Sequence, residues 1–160
     1  MNLFDEYTKK LLLKLNEHKV EYIVIGGYAV NYHGFIRTTG DIDLWIKPDN
    51  GENKDNLLRC LADLKVPERG LDRVKRMNFT QPSMFRDGEK PYRIDFITHI
   101  SRVKFDEAWE QKKEAELEGV KMNFLHLNHL IISKIGTGRS KDKTDIEELQ
   151  KIQALKQKKK

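Results

Sequence analysis

The sequence predicts an α+β domain, a mixed β-sheet flanked by helices and completed by C-terminal helices. Three observations carry that expectation. Short β-branched or alternating apolar runs are interrupted by helical periodicities in an irregular order. Turn signals at Asp87-Gly88 and Glu118-Gly119 each lie between strand-like runs and mark hairpins. The chain has 160 residues, 38% hydrophobic and 34% charged, the balance of one globular domain with its own core and a well-solvated surface.

Taken in order, Leu3, Tyr7, Leu11 and Leu15 recur every four residues and predict an amphipathic helix over 2–18. Residues 20–27, "VEYIVIGG", read as a buried strand stopped by glycine. Residues 28–34 suit two helical turns ending at Gly34, and 35–40, "FIRTTG", form a loop. "DIDLWIK" alternates strictly, with Ile42, Leu44 and Ile46 on one face and Asp41, Asp43 and Trp45 on the other. "PDNGEN" is a turn cluster before a helix over about 53–65, whose stripe of Leu57, Leu58, Leu61 and Leu64 takes in Cys60.

Residues 66–80 are basic and show no clear period. Residues 83–100 read as two strands around the Asp87-Gly88 turn. In the second of these, Tyr92, Ile94 and Phe96 share one face and Arg93, Asp95 and Ile97 the other. A short helix over about 105–113 precedes a hairpin over 115–125. Two helices close the chain, over about 127–136 and 141–157. A single domain spans 1–160, with the lysine-rich end, 156–160, expected to be disordered.

Charge and composition exclude several classes. The net charge is +5, but "KQKKK" at the end supplies four of those charges, so the balance gives little support for a general nucleic-acid binder. Cys60 is the only cysteine, which rules out a disulfide framework and a cysteine metal site. No apolar run approaches the roughly 20 residues of a membrane helix, and the start does not read as a signal peptide. A cytoplasmic location is the expectation.

The aspartates of "DIDL" demand an explanation, because Asp is a poor strand former and an unpaired buried carboxylate is costly. Asp41 and Asp43 stand on one face, roughly 6.5–7 Å apart. If "RIDF" pairs alongside, Asp95 joins them. Three uncompensated carboxylates repel one another, and a hard divalent cation such as Mg2+ or Mn2+ would relieve the repulsion while serving phosphoryl transfer. Gly26-Gly27 ends a strand and opens a helix, where free N–H groups and the helix dipole favour phosphate.

Each signal has a plain structural reading. Asp-x-Asp can be an exposed strand pair, Gly-Gly a turn, and Asp95 a surface residue. Only the conjunction is specific: Gly-Gly, thirteen residues, Asp-x-Asp in an alternating strand, then a third Asp on a later strand.

That conjunction, in "IGGYAV…HGFIRTTGDIDLWI" with "RIDF", resembles the signature of the DNA polymerase beta-like nucleotidyltransferase superfamily. The C-terminal "LIISKIGTGRSKDKTDIEEL" is similar to the minimal, abortive-infection toxin branch, in which a helical Lys precedes Arg-x-Lys-Asp-x-x-Asp. Lys134, Arg139, Lys141, Asp142 and Asp145 match that pattern. The likeness covers about 20–150 and implies a nucleotidyltransferase fold. It further implies transfer of NMP from an NTP to an acceptor hydroxyl, with release of pyrophosphate. Asp41, Asp43 and Asp95 would be catalytic metal ligands, and Gly26, Gly27, Arg37, Thr39 and Lys134 would bind nucleotide.

Alternatives stay open for several of these residues. Lys134 could be a snorkelling surface lysine; as a triphosphate contact, its loss is expected to weaken NTP binding and barely change fold stability. Arg37 could pair with an acid, and Asp142 and Asp145 could be ordinary first-turn acids. Trp45 and Ile97 could line a base or simply pack. His126 and His129 lack a third metal ligand, His33 fits a cap or surface role, and "GTGR" is a helix break rather than a P-loop.

The resemblance extends to a role as a toxin in a toxin–antitoxin or phage-defence system, with an antitoxin partner. Because the chain is short for the family, a macromolecular acceptor (tRNA or a protein) and a homodimer are further expectations. The alternative is a catalytically inactive fold that binds nucleotide or protein. A nucleotide-sugar glycosyltransferase would also use Asp-x-Asp, but needs no Gly-Gly helix before it.

Overall fold

The computed structural model describes residues 4–88 and 93–159. Among these residues, seven helices surround a six-stranded mixed sheet of order β3-β4-β2-β1-β6-β5. Helix α1 (Glu6–Glu17) is capped by the Asp5 side chain and buries Leu11, Leu12 and Leu15, as the four-residue spacing predicts. Leu3 and Tyr92, assigned to the first helix and to the Asp95 strand, lie outside the described residues.

Strand β1 (Tyr22–Ile25) is buried along its length and passes at Gly26 directly into α2 (Gly26–Tyr32). β1 pairs antiparallel with β2 (Ile42–Ile46), setting Ile25 opposite Asp43. β2 pairs in parallel with β4 (Ile94–Ile97), setting Asp43 opposite Asp95. β3 (Met84–Asp87) pairs antiparallel with β4 and sets Arg86 opposite Asp95. The hairpin of β5 (Lys113–Leu117) and β6 (Val120–Phe124) turns at Glu118 and Gly119, both at positive φ, a conformation Gly adopts freely. β6 joins the sheet parallel to β1.

Helix α3 (Glu52–Asp63) buries Leu57, Cys60 and Leu61. The basic stretch that shows no period holds α4 (Glu68–Arg76), which buries only Val74. α5 (Phe105–Gln111) ends sooner than its sequence suggests, because Lys113 already belongs to β5. α6 (Leu127–Lys134) and α7 (Ser140–Lys158) pack together across a turn with Gly136 and Gly138 at positive φ. α7 runs to Lys158, taking in the first residues of the segment expected to be disordered; Lys and Gln are good helix formers, and cations favour a helix C-terminus.

The buried apolar side chains form one cluster between the sheet and its helices, with Tyr22, Ile23, Leu44, Ile46 and Phe96 at its centre. No helix among the described residues is long and apolar enough to cross a membrane.

Candidate active site

The register described above builds the site. Strands β2 and β4 start side by side, and the chain enters them through Asp41 and Arg93; the Ile42 N–H donates to the Arg93 carbonyl at 3.2 Å. One row across the sheet therefore reads Arg86, Asp95, Asp43, Ile25. The three aspartates share a cleft of about 330 Å3 with Gly26, Gly27, Arg37, Thr39 and Lys134. Every residue expected in the site lines that one cleft. Arg86, Arg93, Arg139, Lys141 and Asp142 line it too.

The paired glycines have separate steric reasons. Gly26 sits at φ +67°, and a Cβ there would fall 2.2 Å from Asp43 Oδ2. A Cβ on Gly27 would fall 2.2 Å from Thr39 Oγ1. Gly26 therefore admits the carboxylate of Asp43 to the start of α2, and Gly27 admits the 35–41 loop.

The cations fall into two groups. Arg37 makes a bidentate pair with Asp145, Nε to Oδ1 at 2.8 Å and Nη2 to Oδ2 at 2.9 Å. Lys134 lies 3.1 Å from Asp142 Oδ1 and 3.1 Å from Asp145 Oδ2. Thr137 donates to Asp142 Oδ2 at 2.6 Å. Asp145 is fully buried and Lys134 is 9% exposed. Lys134 is thus no snorkelling surface lysine, and its ion pairs argue against the expectation that its loss would spare the fold: removing it would take a partner from two buried carboxylates. Asp142 and Asp145 orient the two cations. Burial alone would raise the Asp142 carboxyl, but the bonds from Thr137 and Lys134 outweigh it and hold it below the usual range.

The second group reaches the aspartates themselves. Arg93 binds Asp41 Oδ2 through Nε at 3.1 Å and also through Nη2. Arg86 Nε donates to Asp95 Oδ1 at 2.9 Å. Asp43 forms no ion pair among the described residues. Burial first, then the charges of Asp95 and Asp41, push its carboxyl up to about 6. Neither arginine stood out in the sequence reading, although alternation places Arg93 on the same face as Asp95.

Three carboxylates with hard oxygen donors suit Mg2+ or Mn2+ chemically, and a cation would offset both the burial and the neighbouring negative charge that raise the Asp43 carboxyl. As they stand, two of them turn to arginines. Among the described residues no three acidic, histidine or cysteine side chains stand close enough together to hold a metal ion.

The remaining candidates have other uses. Trp45 is buried, packs edge-on against Phe105 and donates its indole N–H to the Thr98 carbonyl at 2.8 Å. His33 is buried against the Leu125 carbonyl, Nε2 to O 2.6 Å, neither a surface group nor a lining residue of the cleft. His126 caps α6 by accepting from the Asn128 N–H, and His129 gains no third metal ligand among the described residues.

The fold is shared with solved nucleotidyltransferases. The lincosamide antibiotic adenylyltransferase LnuA, solved with lincomycin bound, has a TM-score of 0.53 at 16% identity, over 94% of this chain and 99% of that one. The antibiotic-resistance factor ANT(2'')-Ia has a TM-score of 0.52 at 14% identity, over 96% and 90%. An antigenic nucleotidyltransferase-like protein from Paracoccidioides brasiliensis has a TM-score of 0.51 at 17% identity, over 95% and 78%. Identities this low establish a common fold and nothing about the acceptor. No curated protein matches the chain. The pattern of a family described as nucleotidyltransferase of unknown function (DUF6036) spans residues 1–158, and with the polymerase beta-like fold beneath it the chain belongs to that nucleotidyltransferase family.

Proposed function

We propose that this chain transfers NMP from an NTP to an acceptor hydroxyl, with release of pyrophosphate, in a reaction that depends on Mg2+ or Mn2+. The observation that carries the proposal is the meeting of Asp41, Asp43 and Asp95 with Gly26, Gly27, Arg37, Thr39 and Lys134 in one cleft. The three aspartates would hold the divalent cation, which when bound supplies electrostatic stabilisation of the charge developing on the transferred phosphoryl group. Lys134, kept in place by Asp142 and Asp145, presents fixed positive charge to the triphosphate. Glycine at 26 and 27 lets the Asp43 carboxylate and the Thr39 side chain sit against the start of α2, which would set a metal held by Asp43 beside the backbone N–H groups that suit phosphate. Asp95 would accept the proton of the attacking hydroxyl.

The resemblance to abortive-infection toxins extends the proposal to a cytoplasmic toxin of a toxin–antitoxin or phage-defence system. tRNA or a protein would then be the acceptor, an antitoxin protein the partner and a homodimer the working form.

The pairing of Asp41 and Asp95 with arginines favours a second reading, a catalytically inactive module that binds nucleotide or protein. Incubation with each α-labelled NTP and Mg2+, with total tRNA or a protein extract as acceptor, separates the two. Label on an acceptor, abolished by chelation of the metal, is the expected result. Nucleotide binding without transfer to either pool would establish the inactive module.

A further inference from the structure

Two guanidinium groups stand at the aspartates where a divalent cation would bind. Arg93 places two donors on Asp41 Oδ2, and its Nε is also 4.0 Å from Asp95 Oδ1. Arg86 takes Asp95 Oδ1 from the neighbouring strand. Among the described residues each carboxylate keeps a second oxygen free of arginine, but a metal ion bound there would share the same negative charge, so metal and arginine weaken each other's hold on Asp41 and Asp95.

The contrast with the opposite wall of the cleft gives the arrangement its meaning. Arg37 and Lys134 are anchored by Asp145 and Asp142, which are not among the three aspartates, so a metal bound to those three would leave both cations fixed. Among the described residues, Arg86 and Arg93 are anchored only by aspartates the metal needs. Once displaced, they remain in a cleft already containing Arg37, Lys134, Arg139 and Lys141, where phosphate oxygens would be favourable partners. The attachment of Arg86 is also of the weak kind: its side chain is 51% exposed, and a pair so open to water adds little to stability.

We propose that Arg86 and Arg93 are exchangeable counter-ions, holding Asp95 and Asp41 while the site lacks metal, yielding them to a divalent cation, and then binding phosphate oxygens of the nucleotide. The inference rests on the nucleotidyl-transfer reading and adds an order to it: metal binding creates part of the nucleotide site.

Calorimetric titration with Mn2+ alone tests the first half. Arg93→Gln removes a competing charge, and Arg59→Gln removes an equal charge from an exposed position on α3 where the guanidinium donates to Asn56. Arg93→Gln should bind Mn2+ at least about threefold more tightly than Arg59→Gln, the factor that corresponds to losing one part-exposed ion pair. Arg86→Gln, at its half-exposed position, should show the same sign and covers the case in which Arg93→Gln does not fold. Equal Mn2+ affinity in the site variants and Arg59→Gln overturns the proposal.

Titration with ATP at saturating Mn2+ tests the second half. The double variant Arg86→Gln/Arg93→Gln should bind ATP at least about tenfold more weakly than the parent, as expected when charged hydrogen bonds are lost. Unchanged ATP affinity overturns the proposal. A parent that binds no Mn2+ defeats the nucleotidyl-transfer reading as well, whereas a parent that binds Mn2+ beside indifferent variants defeats the counter-ion proposal alone.

Discussion

Asp43 is the residue on which the site's electrostatics concentrate. Asp41 and Asp95 each have an arginine, whereas Asp43 faces Asp95 across the strands and leans against the start of α2. Its carboxyl is pushed up to about 6 by burial and by its two acidic neighbours. The folded state therefore holds a proton that the unfolded chain releases near pH 4, so this group's contribution to stability falls as pH rises from about 4 to about 6. Asp43→Asn removes that dependence. Without metal, the variant should be more stable than the parent at pH 8, by no more than about 3 kcal/mol, and the two should converge at pH 4. Denaturant unfolding at both pH values checks this. Lys134 predicts the opposite sign: Lys134→Ala should destabilise by about 3–5 kcal/mol, the cost of stranding buried partners, and a loss below about 1 kcal/mol would show that Asp142 and Asp145 find other partners.

At the scale of elements, the passage from β1 into α2 fixes where the cleft opens. Gly27 lets the 35–41 loop close on that helix start, so Gly27→Ala should cost about 1–3 kcal/mol through overpacking against Thr39. Thr39→Gly in the same chain removes the obstructing side chain and should recover part of that loss, which a double-mutant cycle would measure. The elements that carry the site were legible because each has a strong local signature. "YIVIGG" is β-branched and stopped by glycine, and "DIDLWI" alternates. α4 was illegible because its apolar face is narrow: Val74 is its one buried residue, Leu71 packs half-buried beside it, and charged side chains make up most of the rest. The end of α5 was misplaced because pairing with β6 claims Lys113 for a strand, and that contact is not local. Arg86 and Arg93 escaped attention for a related reason. Arginine beside a hairpin turn is ordinary, and only the registers of β3 with β4 and of β4 with β2 show what it faces.

For the whole molecule, the strand order is what turns three separated sequence positions into one site. Asp41 and Asp43 precede Asp95 by about fifty residues, and the parallel pairing of β2 with β4 brings them level. α6 and α7 then close the cleft from the other side with Lys134 and its acidic holders. If the site is a metal–nucleotide site, ligand binding must stabilise the entire fold by mass action, and that consequence needs no knowledge of the acceptor. The most direct measurement is calorimetric melting at pH 8 of the parent and of Asp43→Asn, each with and without Mg2+ and ATP. The metal-free variant should melt above the metal-free parent, while Mg2+ and ATP should raise the parent's midpoint and raise the variant's much less. A variant no more stable than the metal-free parent, with equal ligand shifts in both proteins, would contradict a shared site for Asp41, Asp43 and Asp95.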